Sequence, residues 1–333
     1  MSDAVTLSLE EAEALAIDAC LSAGAGTAAA RSLAAATVSA EAGGNAAVGF
    51  SHLLDYLAGF REGRIDGHAE PLIAYPAPAL IRADAARGIA QLGFDRAFDA
   101  IVERARSLGI ALFAQNNSYT SGELGYYASR LARQGLVAMA FTTGPALMTV
   151  PGGKRPLYCT NPLAFAAPCG KAGPLLVDQA SSATAFVNIR RAAERGEAIP
   201  EGFAVDETGQ PTTDARAALR GALLAFGGGR GANIALMVEV MASGLGAANW
   251  SMDAPGFTEG AESPGAGLTV IAIDPVLLDP DFESRLAAQI DRLENEGVHI
   301  PGRGKVDRVN GAETAGIVLR KSLVDRLRQS HRR

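Results

Sequence analysis

Short apolar runs of strand length recur through the middle of this chain, and they constrain its fold more than any other feature. The runs are IALFAQ from residue 110, LVAMAFTT from 136, LAFAAP from 163, PLLVDQA from 174 and GLTVIAIDP from 267. Helical patterns lie between some of them, such as LGYYASRLARQG from residue 124. Strand-length apolar runs that alternate with helices are typical of an α/β fold.

The N-terminal part of the chain is predicted to be helical. Ser8 followed by Glu11 has the spacing of a capping box at the start of a helix. A second, alanine-rich helix is expected from Thr27, as its cap, to about Ala42, and a third from 51 to 61. Near the other end, DFESRLAAQIDRLENEG from residue 281 predicts a helix, and RLRQSHRR from 326 predicts a short helical tail with solvated charges.

Charge and cysteine content exclude several classes of protein. The chain has 333 residues, with 36 Asp and Glu against 30 Lys and Arg, a net charge of −6 that argues against nucleic acid as the main partner. No segment reaches the ~18 apolar residues of a membrane span, and no signal peptide is recognisable, so a cytoplasmic location is expected. Cysteines 20, 159 and 169 are odd in number and unhelpfully spaced, which indicates neither a disulfide framework nor a metal site.

Two glycine-rich segments match a loose dinucleotide-binding pattern. GAGTAA at Gly24 follows a helix, so it lacks the strand–turn–helix context that the pattern requires, and we reject it. GGGRGA at Gly227 opens a helix, where free backbone N–H groups and Arg230 favour an anion. The alternative is a glycine-rich turn that lets the helix pack closely.

Three polar clusters border the apolar runs, and each has two interpretations. The segment NNSYTSGELGYYA, 116–128, lies between a strand and a helix and either binds a ligand or caps the helix. Thr160 and Asn161 stand in an apolar surround, where they either brace a turn or face a ligand. Asp178 ends an apolar run, a position suited to binding, to catalysis or to capping a helix.

His52 is one of four histidines and stands in GFSHLLDYL, 49–57. A neutral imidazole can pass a proton near neutral pH, and the Ser51 hydroxyl is close enough in sequence to orient it. From the residues alone, a partly buried helix histidine is the favoured interpretation.

Six segments, in order and over nearly the whole chain, carry a family resemblance. They are GFSHLLDYL, NSYTSG (117–122), PGGKRPLYCTNPLAF (151–165), VDQASS (177–182), GQPTTD (209–214) and GGRGANIALMVE (228–239). Together they resemble the malate/L-lactate dehydrogenase-like NAD(P)H oxidoreductases, whose cofactor domain is not a Rossmann fold. The most specific block is EAIPEGFAVDETGQPTTD, 197–214.

The resemblance implies a fold, a reaction and an assembly. The fold would be α/β, with a non-Rossmann nicotinamide-cofactor domain over 109–281 and a helix-rich substrate and dimerisation domain over 1–108 with 282–333. The reaction would be hydride transfer between NADPH, or NADH, and the carbon next to a carboxylate, in a 2-oxo acid or a cyclic imine. The protein would be a homodimer with a shared site, and its alanine-rich helices are candidates for the interface, although alanine-rich faces also pack within one chain.

The resemblance also implies roles for particular residues. His52 would donate the proton, oriented by Ser51, and Asn188 stands where some relatives complete the relay with an Asp. Thr160, with Asn161, would hold the substrate carboxylate. The residues expected to hold the cofactor are Thr120, Ser121, Gly122, Glu123, Leu124, Asp178, Gln179, Ala180, Arg230, Gly231 and Arg303. Basic residues considered for a 2′-phosphate are Arg190, Arg191, Arg230, Arg303 and Lys305.

Several departures from the family pattern limit the class of substrate that we expect. Leu53 replaces the glycine after Ser-His, and the arginine that clamps the substrate carboxylate has no counterpart, although Arg61 or Arg64 are considered as substitutes. Thr120 replaces the loop histidine, and Arg230 the helix-start lysine. Because an arginine fork is worth a few kcal/mol to a buried carboxylate, roughly, its loss favours a small monocarboxylate over a dicarboxylate.

Three functions follow from these observations. The leading one is reduction of delta-1-pyrroline-2-carboxylate to L-proline, or of delta-1-piperideine-2-carboxylate to L-pipecolate, because Asn188 and GLTVIAIDP resemble the proline-pathway members. The second is a 2-hydroxyacid dehydrogenase of the lactate or malate type. The third is a paralog that binds a metabolite without catalysis.

Overall fold

The computed structural model describes residues 3–258 and 260–329. Its helices are α1 (Leu9–Ser22), α2 (Thr27–Ala42), α3 (Phe50–Arg61), α4 (Ala90–Leu108), α5 (Leu124–Ala132), α6 (Phe186–Arg195), α7 (Ala215–Arg220), α8 (Gly229–Glu239), α9 (Phe282–Asn295), α10 (Arg303–Ala315) and α11 (Lys321–Gln329). Its strands are β1 (Ala4–Leu7), β2 (Leu72–Ala77), β3 (Leu80–Asp84), β4 (Ile110–Ser118), β5 (Val137–Thr142), β6 (Met148–Thr149), β7 (Leu163–Ala167), β8 (Leu175–Gln179), β9 (Ala204–Val205), β10 (Pro211–Thr212), β11 (Ala222–Leu224), β12 (Ala266–Ile273) and β13 (Ile317–Arg320).

A seven-stranded mixed sheet forms the centre of the fold. Its strand order is β2-β3-β4-β12-β5-β7-β8, and β3 and β4 are parallel while the other neighbours are antiparallel. The parallel pair is joined by α4, as a crossover connection requires. Residues of α4 and α5 share one buried cluster with the inner strands, and α8 covers the other face through Val238.

Both ends of the chain build a second, helical layer. β1 pairs antiparallel with β13, and the core beside this pair is made from α1, α2, α3 and α11. Ala16, Ala19, Ala30 and Ala34 are fully buried within this single chain, because small side chains let α1 and α2 approach closely. These alanines therefore pack within the chain, which is the alternative to a role in a dimer interface.

The expected α/β class is confirmed, and the domain boundaries stay a prediction. β2, β3 and α4 lie within 1–108, yet they belong with the central sheet: β2 pairs with β3, β3 pairs with β4, and α4 packs on the sheet. A smaller sheet of order β10-β9-β11-β6 encloses its own core with α6 and α7. Asp214 caps α7 by accepting from the Arg216 N–H at 2.8 Å, so part of the block 197–214 has a structural role.

Most of the predicted elements are confirmed, with small shifts at their ends. The capping box of α1 is present: Ser8 Oγ accepts from the Glu11 N–H, and Glu11 Oε2 accepts from the Ser8 N–H. Thr27 is the first residue of α2 rather than its cap, a position that Gly26 holds. The predicted C-terminal tail is helical as far as Gln329, and residues 330–333 lie outside the described part.

Two further expectations concern cysteines and membranes. Cys20, Cys159 and Cys169 are buried and free. Within 3–258 and 260–329, no helix has the length and apolar character needed to cross a bilayer.

Candidate active site

His52 lies in the first turn of α3, and both of its ring nitrogens have polar neighbours. Nδ1 is 2.9 Å from Asp55 Oδ2, and Nε2 is 3.3 Å from Thr120 Oγ1. The imidazole is 19% exposed, so it is neither sealed in the core nor free in solvent. Phe50 and Leu53 anchor α3 in the hydrophobic core, which leaves His52 and Asp55, at i and i+3, together on another face.

A chain of polar groups leads to the Nε2 side of His52. Gln91 Nε2 donates to Tyr56 Oη at 3.0 Å, and Tyr56 Oη is 3.0 Å from Thr120 Oγ1. Thr120 Oγ1 also accepts from the Gly122 N–H at 3.3 Å. Burial raises the pKa of Tyr56 well above its ordinary value, so this hydroxyl stays protonated near neutral pH.

The start of α5 carries a buried ion pair next to this chain. The Glu123 carboxylate is buried, contacts Lys305 Nζ at 2.5 Å and accepts from Asn45 Nδ2 at 3.2 Å. The contact joins α5 to α10 and to the loop before α3. Because one partner of a buried pair needs the other, Lys305 is committed to Glu123.

Asp178 at the end of β8 contacts the same helix start. Its Oδ2 accepts from the Gly125 N–H at 2.7 Å. The residue as a whole is exposed on the edge strand, but the bonded carboxylate oxygen sits against α5. Desolvation at that oxygen, and then the negative charge of Glu123, raise the pKa of Asp178 to about 6.

The segment after β8 brings two further candidate regions to this end of the sheet. The Ser181 N–H donates to the Thr160 carbonyl at 2.8 Å, and the Phe226 N–H donates to the Ser181 carbonyl at 3.0 Å. The second contact places the glycine-rich start of α8 beside the end of β8. Gly227 and Gly228 have φ of 57° and 65°, a left-handed backbone that glycine adopts without strain.

Asn161 lies in a buried polar network behind Thr160. Its Nδ2 donates to Glu239 Oε2 at 2.7 Å and to the Ala235 carbonyl at 2.8 Å. The same Glu239 carboxylate accepts from the N–H and hydroxyl of Ser251. Asn161 Oδ1 is buried with no hydrogen-bond partner in the described part of the chain.

Two expected catalytic contacts are not formed. His52 Nδ1 is bonded to Asp55, so Ser51 is not the residue that orients it. Asn188 is exposed on α6, and its Nδ2 donates to Thr184 Oγ1 at 3.1 Å. The sequence contained the signal for Asp55, since an i, i+3 pair on a helix lies on one face.

The other predicted residues divide into two groups. Thr120 contacts His52, and Glu123 and Asp178 lie at the start of α5. Ser121 and Leu124 beside them are buried, and Gly122 has a left-handed backbone. Arg230 is exposed at the start of α8, Gly231 is buried behind it, and Gln179 and Ala180 follow Asp178. Arg303 Nε contacts Glu294 at 3.1 Å. Tyr56 and Gln91 were not predicted, because their contacts depend on the tertiary fold.

The two arginines considered as substitutes for the carboxylate-binding arginine differ in burial and in contacts. Arg61 is exposed at the end of α3. Arg64 is 2% exposed and contacts Glu62 and the Gly260 carbonyl. Its guanidinium is therefore already engaged within the chain.

The donor set at this end of the sheet fits a nicotinamide dinucleotide. α8 begins without a side-chain cap, so it offers backbone N–H groups suited to a pyrophosphate. At the start of α5, the Gly125 N–H is already bonded to Asp178. A Cβ at Gly227 or Gly229 would meet no atom within 4 Å, which leaves room beside the start of α8. The Thr120 and Thr160 hydroxyls can donate to a carboxylate or to the oxygens of ribose and carboxamide, whereas the buried Asn161 Oδ1 can only accept.

Comparisons with known proteins identify the family of the chain. Residues 7–328 match the family described as malate/L-lactate dehydrogenase. The chain is 38% identical over 326 residues to a (2R)-3-sulfolactate dehydrogenase (NADP(+)) of Chromohalobacter salexigens, with 97% of each protein covered. It is 35% identical over 311 residues to a Delta(1)-pyrroline-2-carboxylate/Delta(1)-piperideine-2-carboxylate reductase of Pseudomonas putida, which covers 92% of this chain and 91% of that protein.

A solved structure gives the same result for the fold. The delta1-piperideine-2-carboxylate reductase from Pseudomonas syringae pvar. tomato superposes with a TM-score of 0.94 at 32% identity, over 98% of this chain and 99% of that one. The chain belongs to the malate/L-lactate dehydrogenase family and is an oxidoreductase.

Proposed function

We propose that the protein is an NAD(P)H-dependent reductase of a small cyclic ketimine carboxylate. The substrate would be delta-1-pyrroline-2-carboxylate, reduced to L-proline, with the six-membered delta-1-piperideine-2-carboxylate reduced to L-pipecolate. The observation that carries the proposal is the half-buried His52, whose Nδ1 is held by Asp55 and whose Nε2 faces the Thr120 loop. Relatives named for this reaction support it.

The chain's own residues supply a proton and a binding frame. A bound nicotinamide supplies the hydride that adds to C2 of the imine. His52 Nε2 donates a proton to the ring nitrogen, whose C=N π electrons become the new N–H bond, and solvent then returns a proton to His52. The Thr160 hydroxyl holds the substrate carboxylate, and the helix starts of α5 and α8 hold the cofactor.

The state of the nearby arginines favours a monocarboxylate. Arg64 is buried and engaged by Glu62 and a backbone carbonyl, and Arg61 is exposed. A substrate with a second anionic group would have to bind an arginine that is buried and already bonded to Glu62 and the Gly260 carbonyl. The ring nitrogen of a cyclic imine carries no negative charge and makes no such demand.

We infer that NADPH is preferred over NADH. Lys305 is held by Glu123 and Arg303 contacts Glu294. Arg190, Arg191 and Arg230 are exposed on α6 and at the start of α8, so they are the candidates for a 2′-phosphate. A relative named as using NADP(+) supports the same preference.

A second candidate is a 2-hydroxyacid dehydrogenase. The relative at 38% identity is named for (2R)-3-sulfolactate, a hydroxy acid, and His52 could serve as the base in that direction. The two candidates share the hydride and proton steps and differ in the group that His52 protonates or deprotonates.

We also infer that the enzyme is a homodimer. An apolar surface runs along α8 and the segment that follows it, made of exposed residues Leu236, Met237, Val240, Leu245, Trp250 and Met252. We call it the α8 face. Continuous apolar patches on a protein surface mark interaction sites, and a second copy of the chain is the occupant that we propose.

A substrate panel tests the reaction. The five- and six-membered imines are offered with NADPH and with NADH, beside pyruvate, oxaloacetate and, with NADP+, (2R)-3-sulfolactate, and cofactor absorbance is followed. We expect turnover of the imines, faster with NADPH. Turnover of sulfolactate or the oxo acids without turnover of either imine would reject the ketimine assignment in favour of the second candidate.

A His52→Gln variant in the same panel tests the proton donor. Turnover should fall about 100-fold or more, the usual scale for loss of a general acid, while NADPH binding changes little. His68→Gln, which removes an exposed histidine, is the matched control and should keep full turnover. A His52→Gln enzyme as active as wild type would remove the proposed role.

A further inference from the structure

We propose that Asp55 is the positioning residue of a histidine–carboxylate pair contained within α3, a role that rests on the proposed function for its effect on turnover. The pair would fix which nitrogen of His52 carries the transferable proton. Asp55 itself would touch neither substrate nor cofactor and would act through His52.

Packing of α3 on the hydrophobic core, and not a loop, sets the orientation of His52 and Asp55. Asp55 Oδ2 and His52 Nδ1 are 2.9 Å apart across one helical turn. On the opposite side of the same helix, Phe50, Leu53 and Leu57 are almost completely buried. Any rotation of α3 about its axis would expose these side chains, so packing sets the direction of the imidazole.

The two sides of the ring point to the same tautomer. An ionised carboxylate only accepts hydrogen bonds, so Asp55 keeps the proton on Nδ1. On the other side, Tyr56 Oη donates to the Thr120 carbonyl at 3.1 Å and its oxygen accepts from Gln91, so the Thr120 hydroxyl proton is available to a bare Nε2. A neutral His52 is thus held with Nδ1 protonated, and the proton that it gains on charging is the one on Nε2.

None of the other ionisable groups around the pair competes with Asp55 as the charged partner of His52. Tyr56 on the same helix and Tyr119 at the end of β4 are both kept neutral, because burial raises their pKa values, that of Tyr119 to about 12. Arg64 and Glu62, beyond Tyr119, are bonded to each other. Asn188 is exposed and bonded to Thr184, and as an amide it has no charge to offer.

The first test reads the tautomer without any substrate. Nitrogen NMR of the protein without ligands should show His52 with Nδ1 protonated, assigned by comparison with His52→Gln. Asp55→Ala should move the two nitrogen shifts toward the tautomer with Nε2 protonated. Asp99→Asn, an exposed carboxylate change on α4, should leave them as in wild type.

The second test uses turnover of whichever substrate the panel identifies. Asp55→Ala should lower kcat about 10- to 100-fold while changing KM for substrate and cofactor little, since the residue acts through His52. In Asp55→Asn the decline of turnover with rising pH should begin at lower pH, because a neutral amide stabilises the imidazolium less than a carboxylate. Melting temperatures of the variants separate these effects from unfolding.

The outcomes distinguish this inference from the function itself. Wild-type nitrogen shifts in a folded Asp55→Ala protein, with an unchanged pH profile for Asp55→Asn, would overturn the pair. A wild-type enzyme that reduces no imine, while Asp55→Ala still shifts the tautomer, would reject the ketimine reaction and leave the pair standing.

Discussion

Asn161 shows how a single residue can stabilise the wall of a site. Its side-chain amide bonds Glu239 and the Ala235 carbonyl, and its backbone has a φ of 37°, which asparagine tolerates better than most residues. The buried Glu239 carboxylate depends on such donors, because a buried charge without them is costly. The amide nitrogen is therefore structural, and because Oδ1 only accepts hydrogen bonds, the Asn161 side chain has no donor left for the predicted contact with the substrate carboxylate.

Replacing Asn161 by alanine should destabilise the protein by about 2–4 kcal/mol. The change removes two buried hydrogen bonds and leaves a carboxylate under-satisfied. Urea unfolding followed through Trp250, the single tryptophan, measures the change. Asn310→Ala, at an exposed position on α10, is the control and should cost less than about 0.5 kcal/mol. Equal unfolding midpoints for the two variants would contradict the structural role of Asn161.

At the scale of elements, the contact between β8 and α5 depends on pH. The folded-state pKa of Asp178 is raised from 3.8 to about 6 by desolvation and by Glu123. The folded protein therefore binds this proton more tightly than the unfolded chain. The corresponding stability is present below pH 4 and is lost as the pH rises through about 6.

Asp178→Asn should raise the melting temperature relative to wild type at pH 7.5 and have little such effect near pH 4. The amide oxygen can still accept from the Gly125 N–H, and it carries no charge to repel Glu123. Because Asp178 is largely exposed, we predict the sign of the difference and not its size. Asp291→Asn, at an exposed position on α9, is the control, and its difference in melting temperature from wild type should be the same at both pH values. A stabilisation that is the same or larger at low pH would contradict the assignment.

Some elements could be predicted from the sequence because their signals are local. The Ser8–Glu11 capping box and the apolar runs of β4, β5, β7, β8 and β12 sufficed to predict those elements. The strands β6, β9 and β10 have only two residues each, too few for any periodicity to be recognised. β2 carries proline and is mostly exposed, so its pattern resembled a loop.

At the scale of the whole molecule, strand order could not be predicted locally. β12 lies between β4 and β5, with Val270 opposite Phe113 on one side and Ala140 on the other. These partners are more than a hundred residues away in sequence, and the apolar character of β12 is compatible with any central place in the sheet. The same limit applies to the site, since α3, the start of α5, the end of β8 and the start of α8 meet only through this topology.

The α8 face is a group of apolar side chains that packing within the described part of the chain leaves exposed. Leu236 and Met237 on α8 are about half exposed, and the Trp250 ring lies against Gly244 at the edge of the same surface. Exposed apolar area of this kind lowers the free energy when a second copy removes it from water. Because Trp250 belongs to this face, its accessibility to a quencher should fall as two copies associate.

Leu236→Glu should convert the dimer to monomer. A buried charge opposite an apolar partner surface should weaken association about 30-fold or more, equivalent to roughly 2 kcal/mol at a central interface position. Sedimentation velocity at several concentrations measures the change, with acrylamide quenching of Trp250 as a second readout. Leu108→Glu changes a similarly exposed leucine on α4 and should leave the dimer intact. If wild type sediments as a monomer throughout, or if both variants sediment like a dimeric wild type, then the α8 face is not where two copies meet.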